Sequence, residues 1–468
     1  MKIYNTLTKS IEQFTPNEDN TVRMYTCGPT VYHYAHIGNL RTYIFEDILE
    51  KSLEYSGYNV LRVMNVTDVG HLENDSDDGE DKMQKGAERE HKSVYEIADF
   101  YERAFFKDCE SLNIRKPKVV ERATNNIDTY IEMIKVLLDK GYAYISNGNV
   151  YFDVTKANNY YQLSGKNQDE LYVGVRDTVE DDKSKRNPQD FGLWFTVSKF
   201  SNQEMKWDSP WGVGYPGWHI ECSGISYKYL GEYLDIHCGG VDNIFPHHTN
   251  EIAQSEGFLG HKWCNYWIHG EHLNDSKGKM SKSNGEFLTV SLLESKGYNP
   301  LAYRFFCLQS HYRKVLEFSY EGLDAAQKTY DKLRNKIRKL DRTPDLHESK
   351  IDYYKEKFQD AINNDLNTSS MLTVLYDVLK DNELSDFTKL YLIEDFDKVL
   401  SLDLISEKEE NIISDETESM ILKKIEERNE AKKNKDFATA DKIRDELFDQ
   451  GIKLIDSREG TTYEIIEG

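Results

Sequence analysis

The chain has 468 residues, and its 59 basic and 82 acidic side chains give a formal net charge of −23. This charge argues against a surface that binds nucleic acid throughout, and the 38% share of hydrophobic residues argues against a disordered chain. Residues 1–20 lack the apolar core of a secretion signal, and no apolar run approaches the roughly 18 residues of a membrane span, so we expect a cytoplasmic protein without membrane contact.

The length predicts about three or more domains, because it exceeds what one hydrophobic core usually organises. The cysteines are scattered and do not resemble the framework of a small disulfide-rich protein, which indicates a reducing compartment. Free thiols or metal ligands are therefore the better interpretation of Cys27, Cys109, Cys222, Cys238, Cys264 and Cys307.

The pattern near the N-terminus predicts a β-α-β unit. Residues 22–27 are typical of a strand, the Gly28-Pro29 pair ends it, and residues 40–55 carry apolar side chains at helical spacing before a second strand at 58–66. In such units ligands bind beyond the carboxyl ends of the strands, and a helix N-terminus favours phosphate. We therefore expect a nucleotide site within residues 26–39.

Four residues of that stretch carry the candidate chemistry. Cys27 is a possible metal thiolate, Gly38 lets the backbone approach a nucleotide, and both the His36 ring and the Asn39 amide can donate to phosphate. Taken one at a time, Cys27 is better interpreted as a buried strand cysteine and His36 as a histidine satisfied within a turn. Support for the functional interpretation has to come from other parts of the chain.

Two segments further along have structural interpretations. Residues 73–81 hold six carboxylates, but Lys85 stands where the last glutamate of an EF-hand would be, so we predict a solvated loop. The break at Lys116-Pro117-Lys118 and the mixed, tyrosine-rich pattern after it indicate an insertion over residues 117–206.

A second cluster combines cysteine, histidine and glutamate. Pro246 suits a helix start, which would place His247 and Glu251 one turn apart on one helical face. With the thiolates of Cys222 and Cys27, they make a tetrahedral set that suits zinc, although such spread ligands are a weaker signal than a local Cys-x-x-Cys. Four nearby residues could be ligands instead: His237, Cys238, His248 and Cys264.

The third cluster is the pentapeptide Lys279-Met280-Ser281-Lys282-Ser283. Glycines on both sides predict a mobile loop, and its two lysines could neutralise the charge that develops on a leaving pyrophosphate.

The remainder of the chain is predicted to be mostly helical. Residues 328–342 hold seven basic and two acidic side chains, which indicates either a positive stripe for nucleic acid or an ordinary solvated helix face. Residues 407–418 are acidic and are typical of a linker, and residues 419–450 predict one or two polar helices before a short strand pair.

The His-Ile-Gly-Asn turn at residues 36–39, followed far downstream by the pentapeptide, resembles the two signature motifs of class I aminoacyl-tRNA synthetases. The sequences around Cys27, residues 218–222, His237 and residues 247–251 resemble the cysteinyl-tRNA synthetase family in particular. The similarity runs over essentially the whole chain, including residues 426–445.

The resemblance implies an α/β fold, in which a Rossmann-like parallel-sheet catalytic domain carries an inserted connective domain and is followed by a helical bundle and a small C-terminal anticodon-binding domain. The implied boundaries are 1–116 and 207–264 for the two catalytic halves, 117–206 for the insertion, 265–320 for the stem-contact region with the pentapeptide loop, 321–400 for the bundle and 401–468 for the anticodon-binding region.

The implied activity is ATP-dependent conversion of L-cysteine to cysteinyl-adenylate and transfer to the 3′ end of tRNA(Cys). The family implies one zinc ion per chain, held by Cys27, Cys222, His247 and Glu251, with the substrate thiolate as a further ligand. Thiolate-bound zinc favours sulfur, so it can reject serine, which ordinary pocket contacts reject by only about 100-fold. ATP with Mg²⁺ is the expected co-substrate, and no protein partner is implied.

The resemblance also assigns roles to individual residues. His36, Asn39, Lys279 and Lys282 are the expected catalytic residues, with His36, Asn39 and Lys282 contacting ATP. The expected substrate-binding residues are Gly28, Thr67, Trp218 and His237. Two departures from the family pattern stand out, since Asn39 replaces the usual histidine and Thr249 replaces an acidic residue.

Three alternatives fit less well. A related ligase that joins cysteine to an amino sugar would share the zinc and the adenylation core but should lack residues 401–468. A zinc hydrolase would often contain His-Glu-x-x-His, which is absent from this sequence. An RNA-binding module would need no thiolate pocket and should be more basic.

Overall fold

The computed structural model describes residues 1–69, 93–165, 184–197, 204–275, 278–279, 287–406, 415–434, 436–449, 452–457 and 460–465. The chain forms two compact units, Met1–Ile405 and Ser406–Gly468. The acidic residues 73–81 lie outside the described residues, so the solvated loop stays a prediction.

The first unit contains several sheets. Its strands are β1 (Lys2–Asn5), β2 (Ser10–Gln13), β3 (Thr21–Thr26), β4 (Asn59–Val66), β5 (Val119–Arg122), β6 (Ala143–Ser146), β7 (Asn149–Phe152), β8 (Phe191–Phe195), β9 (Tyr215–Pro216), β10 (Leu234–Gly240), β11 (Cys264–Gly270), β12 (Leu273–Asp275), β13 (Gly278–Lys279) and β14 (Leu316–Glu317).

The helices of this unit cover the central sheet and continue into a helical region. They are α1 (Ile37–Tyr55), α2 (Val94–Ser111), α3 (Ile127–Asp139), α4 (Trp218–Leu230), α5 (Thr249–Leu259), α6 (Val290–Ser295), α7 (Pro300–Leu308), α8 (Tyr320–Arg338), α9 (Ile351–Asn363), α10 (Thr368–Lys380) and α11 (Asp386–Leu400).

The central sheet is parallel throughout its five strands, in the order β11-β10-β3-β4-β5. A parallel sheet is buried on both faces, which explains why Val22, Met24, Val63 and Ile236 are almost inaccessible to solvent. The β3-α1-β4 unit confirms the predicted β-α-β pattern. Because the order reverses at β3, a crevice opens beyond the carboxyl ends of β3 and β10.

The described part of this unit also contains three smaller sheets, in the first of which β1 pairs antiparallel with β2. Strands β6 to β9 form an antiparallel sheet within the region predicted as an insertion. Strand β12 pairs antiparallel with β13 and parallel with β14. The sheet formed by β12, β13 and β14 carries Lys279, one of the predicted catalytic residues, on β13.

The second unit has its own small core. Helices α12 (Asp415–Lys433) and α13 (Phe437–Asp449) precede the antiparallel strands β15 (Ile452–Ser457) and β16 (Gly460–Ile465). Its buried residues are Ile421, Ile425, Ile443, Leu447 and Ile452. The helices and strand pair predicted for this segment are thus present.

The fold class is the predicted α/β class with a parallel sheet. One local prediction is confirmed, because His247 and Glu251 lie one turn apart, with His247 Nε2 3.0 Å from Glu251 Oε1. Phe245 has extended backbone angles, so the helical course that leads into α5 starts after it, at the proline. No described helix is long and apolar enough to cross a membrane.

Candidate metal and nucleotide site

An open cavity of about 660 Å³ lies at the carboxyl ends of β3 and β10. One part of its wall is formed by Cys27, Gly28 and Trp218, and another by His36 and Asn39. The two functions predicted for residues 26–39, a thiolate and a nucleotide turn, therefore open into one space.

The nucleotide turn is shaped by a reciprocal cap at the start of α1. The backbone N–H of Asn39 donates to His36 Nδ1 at 3.1 Å, and the backbone N–H of His36 donates to Asn39 Oδ1 at 3.2 Å. Since Nδ1 accepts, the neutral His36 ring carries its proton on Nε2. The cap thus fixes His36 as a donor through Nε2 at a helix N-terminus, where anions are favoured.

The same cap explains how asparagine can replace histidine at position 39. Its side-chain oxygen satisfies the His36 N–H, and its Nδ2 amide keeps two hydrogens with which it can donate. Asn39 therefore supports the turn that presents His36. Its contact with ATP stays a prediction.

The backbone at Gly28 is held against β4. Its N–H donates to Asn65 Oδ1 at 2.8 Å, and a Cβ added to Gly28 would lie 1.6 Å from the Asn65 carbonyl oxygen. Thr67, two residues after Asn65, is also buried, and its hydroxyl donates to Glu221 Oε2 at 2.9 Å. This bond commits the Thr67 hydroxyl to the protein, so the expected substrate contact of Thr67 stays a prediction.

The fold brings together the four predicted zinc ligands from separate elements. Cys27 follows β3, Cys222 lies in the second turn of α4, His247 lies in the turn before α5, and Glu251 lies in the first turn of α5. One donor atom from each lies within 4.8 Å of the others. Cys222, His247 and Glu251 are buried, whereas Cys27 is partly exposed toward the cavity.

The spacing of the donor atoms fits zinc. The two sulfurs are 4.0 Å apart, Cys222 Sγ is 3.5 Å from His247 Nε2, and His247 Nε2 is 3.0 Å from Glu251 Oε1. A tetrahedral zinc with bonds of about 2.3 Å to sulfur and 2.0–2.2 Å to nitrogen or oxygen requires separations of about 3.8, 3.5 and 3.4 Å.

A second donor set overlaps the first. It shares Cys27 and Glu251 but substitutes His237 and His248 for the other two ligands. Cys238 and Cys264, which the sequence left open as ligands, belong to neither set within the described part of the chain. The first set contains two thiolates, which suits zinc better than one.

Burial and neighbouring charges shift the pKa values of the residues in this cluster. Burial opposes charge on His247 but is outweighed by Glu251 and Cys222, which together hold the pKa of His247 well above its usual value. Burial also works against the Cys222 thiolate, yet hydrogen bonding from Cys27 and the charge of His247 lower the pKa of Cys222. Burial and neighbouring histidines lower the pKa of His248.

Two further histidines orient the ligands. His219 Nδ1 lies 2.9 Å from His247 Nδ1, which leaves His247 Nε2 directed at the donor cluster. His237 Nε2 lies 2.9 Å from Glu251 Oε2, so His237 orients the carboxylate. Such outer partners fix the orientation of metal ligands. Trp218 packs its ring 4.8 Å from the His247 ring and also lines the cavity.

Sequence reasoning missed His219 as an orienting residue, although it lies within the Trp-His-Ile-Glu-Cys run that was singled out. It also missed Asp242 and His272, which line the cavity with His272 Nε2 3.5 Å from Asp242 Oδ1. The sequence did contain a signal for Asp242, because it follows Gly239 and Gly240 at the carboxyl end of β10, where ligands bind in such sheets. Nothing in the sequence singled out His272.

The pentapeptide loop is described only in part. Lys279 lies on β13, where its backbone pairs with Asn274 of β12, and β12 begins at the cavity wall. Lys282 lies outside the described residues. The predicted roles of both lysine side chains therefore stay predictions.

Comparison with known proteins agrees with this geometry. A family model described as the class I (C) tRNA synthetase catalytic domain matches residues 13–328. The chain is 47% identical to the cysteine–tRNA ligase of Treponema denticola over 99% of both chains, and 45% identical to that of Borrelia hermsii over 98% of both.

Among solved structures, methionyl-tRNA synthetase of Mycobacterium tuberculosis in complex with methionyl-adenylate superposes with a TM-score of 0.53 at 12% identity. The match covers 83% of this chain and 92% of that one. At this identity the likeness concerns the fold, and it confirms the Rossmann-like architecture.

Proposed function

The chain belongs to the cysteine–tRNA ligase family of class I aminoacyl-tRNA synthetases, and we propose that a zinc site of four side chains selects the cysteine that this enzyme joins to tRNA(Cys). The observation that carries the proposal is the convergence of Cys27, Cys222, His247 and Glu251 at separations that suit tetrahedral zinc. The comparisons give no support to the amino-sugar ligase alternative, because the relatives match over the full length, including residues 401–468.

The metal would provide selectivity rather than hydrolysis. When bound, zinc with two thiolate ligands supplies a soft Lewis acid that favours the sulfur of cysteine over the hydroxyl of serine. The protein's part is to keep Cys27 at the cavity wall and the other three ligands buried, so that the metal faces the cavity. His219 and His237 hold His247 and Glu251 in orientation.

Adenylate formation needs alignment and charge stabilisation. The cysteine carboxylate oxygen attacks the α-phosphorus of ATP, the bond to the bridging oxygen breaks, and pyrophosphate leaves with the electron pair. We assign His36 Nε2, the Asn39 amide and Lys282 to the phosphates, with Lys279 in support and Mg²⁺ as the expected counter-ion. The capped N-terminus of α1 supports this assignment because it directs donors into the cavity.

The second step transfers the cysteinyl group. A terminal ribose hydroxyl of tRNA(Cys) attacks the carbonyl carbon of the adenylate, and AMP leaves. A row of exposed lysines on α8 and at its C-cap provides a candidate contact for the tRNA backbone: Lys328, Lys332, Lys336 and Lys339. None of the four forms an ion pair with a described residue, so their charge is available to phosphates.

The test combines metal content with amino-acid specificity. The wild-type protein should contain about one zinc per chain, and Cys27→Ala should lose it while retaining the fold by circular dichroism. ATP–pyrophosphate exchange should respond to cysteine and not to serine. Equal exchange with both amino acids, or full zinc content and exchange in Cys27→Ala, would overturn the proposal. The cytoplasmic location and the anticodon-binding role of residues 401–468 stay predictions.

A further inference from the structure

Arg41 occupies an unusual position on the second turn of α1. Its side chain is buried and donates to four backbone carbonyl oxygens. Nη1 donates to Glu271 at 2.9 Å and to His272, and Nη2 donates to Lys314 at 2.6 Å and to His311 at 3.4 Å. One planar guanidinium thus joins two backbone segments that are distant in sequence.

Arg41 differs from Arg62 and Arg304, two arginines that are also buried, in the groups that balance its charge. Arg62 is paired with Glu46 and Glu50, and Arg304 is paired with Asp47. Arg41 forms no ion pair with any described carboxylate. A buried charge is costly unless it is well hydrogen-bonded. Moving any of the four carbonyl oxygens away from the Arg41 guanidinium would therefore be unfavourable, which holds the two segments in place.

The two segments held by Arg41 lead directly into the sheet that carries Lys279. Glu271 and His272 immediately precede β12, and Lys314 lies two positions before the first residue of β14. Strand β12 pairs with β14 through Leu273 and Leu316, and with β13 through Asn274 and Lys279. The segments that enter β12 and β14 are therefore both anchored to one side chain of α1.

Helix α1 connects the segments held by Arg41 to the nucleotide turn at residues 36–39. Arg41 lies on the helix that His36 and Asn39 cap, and Ile37 N–H donates to Leu288 O at 2.8 Å. A Cβ added to Gly38 would lie 3.7 Å from Leu273 Cβ, so the first turn of α1 already touches β12. The position of the strand bearing Lys279 is therefore set relative to the capped helix.

We propose that Arg41 is a positioning residue for adenylate formation, which fixes the strand of Lys279 in register with the His36–Asn39 turn so that both act on one triphosphate. The inference rests on the function proposed above for these donors. It assigns Arg41 no contact with substrate, because its donors are taken up by backbone carbonyls.

Separate effects on kcat and on KM should distinguish a positioning role of Arg41 from a role in the stability of the fold. If Arg41 aligns groups that act in the transition state, Arg41→Met should lower kcat of cysteine-dependent ATP–pyrophosphate exchange by about tenfold or more, with KM for ATP changed by less than about threefold. Arg41→Lys keeps the charge but loses the planar fork, so it should also remain impaired. Arg304→Lys is the matched control for a buried arginine, and its kcat should stay within about twofold of wild type.

A double-mutant cycle with Lys279→Ala completes the test. If Arg41 acts through the strand of Lys279, Arg41→Lys should cost much less in the Lys279→Ala background than alone, a non-additivity of about threefold or more. Additive effects, or an Arg41→Lys enzyme with wild-type kcat, would overturn the inference. The Lys279→Ala single variant reports separately on the proposed function, since wild-type exchange in that variant would refute the role of Lys279 itself.

Discussion

The sulfur atoms of Cys27 and Cys222 lie 4.0 Å apart although 195 residues separate them in the chain. One follows a central strand and the other lies on a helix beyond the inserted region, so the site forms only after the sheet is assembled. His247 and Glu251 complete the set from a third segment. The proposed metal would therefore be linked to the folding of the whole catalytic unit.

The two overlapping donor sets predict opposite outcomes for neighbouring histidines. His247→Gln should lose most of its zinc, because His247 contributes a ligand that thiolates alone do not replace. His248→Gln should retain zinc, because His248 bonds to His269 at 2.8 Å and belongs to the second set. Zinc per chain, measured by elemental analysis, decides between them. The reverse pattern would assign the site to the second set.

Gly28 should tolerate no side chain. In Gly28→Ala the new Cβ would overlap the Asn65 carbonyl, and backbone on β4 cannot easily retreat, so we expect a loss of about 2 kcal/mol or more in the free energy of unfolding. Cysteine-dependent exchange should fall with it. Gly141→Ala is the control, since its φ is +77° and nothing lies within 4 Å of the added Cβ, which leaves only a backbone cost of about 1 kcal/mol. Unchanged stability and exchange in Gly28→Ala would contradict this account of the turn.

The lysine row on α8 should affect only the tRNA-dependent step. The double variant Lys332→Glu and Lys336→Glu should raise KM for tRNA by about tenfold at moderate salt, with ATP–pyrophosphate exchange unchanged. Lys398→Glu provides a control, because Lys398 is an exposed lysine that is already paired with Asp395 at 2.9 Å. Aminoacylation kinetics at two salt concentrations measure the effect. Equal loss of both steps would indicate misfolding, and an unchanged KM would remove the row from the tRNA interface.

Asp108 on α2 should make the protein more stable as the pH falls from about 7 toward about 4. Burial, reinforced by Glu294, raises the pKa of Asp108 to about 7. Since the folded pKa lies above the unfolded one, the penalty on the ionised form is complete above pH 7 and is relieved progressively as the pH falls from there toward the unfolded pKa of about 4.

Asp108→Asn should therefore raise the free energy of unfolding at pH 8 by about 1–4 kcal/mol, and the gain should shrink toward pH 4. Urea unfolding at both pH values measures it, with Glu110→Gln on the same helix as an exposed control. A gain that does not vary with pH would show that charge is not its cause.

Much of the fold was accessible from the sequence because periodicity is local. The β-α-β unit, the helical pattern after residue 321 and the terminal strand pair each depend on neighbours along the chain. The approach of the chain to α5 was less accessible. Pro246 predicted the helix start, but the extended Phe245 before it depends on where β10 delivers the chain.

The site shows a similar division. The residue types for a zinc set were recognisable, but the choice among His237, His247 and His248 required distances in three dimensions. Asn39 shows how a departure from a familiar motif can be structural, since its oxygen closes the cap on His36. Arg41 was not identified from the sequence because its partners are backbone carbonyls, which leave no mark in the residue pattern.

The most direct test of the zinc account is the absorption spectrum of the cobalt-substituted enzyme on addition of cysteine or serine. Cobalt replaces zinc in such sites and reports each thiolate ligand by a charge-transfer band. Cysteine should increase the sulfur-to-cobalt band, because its thiolate joins those of Cys27 and Cys222, and serine at the same concentration should leave the band unchanged. A spectrum that cysteine does not alter, or that both amino acids alter equally, would contradict the claim that this metal site selects the substrate thiol.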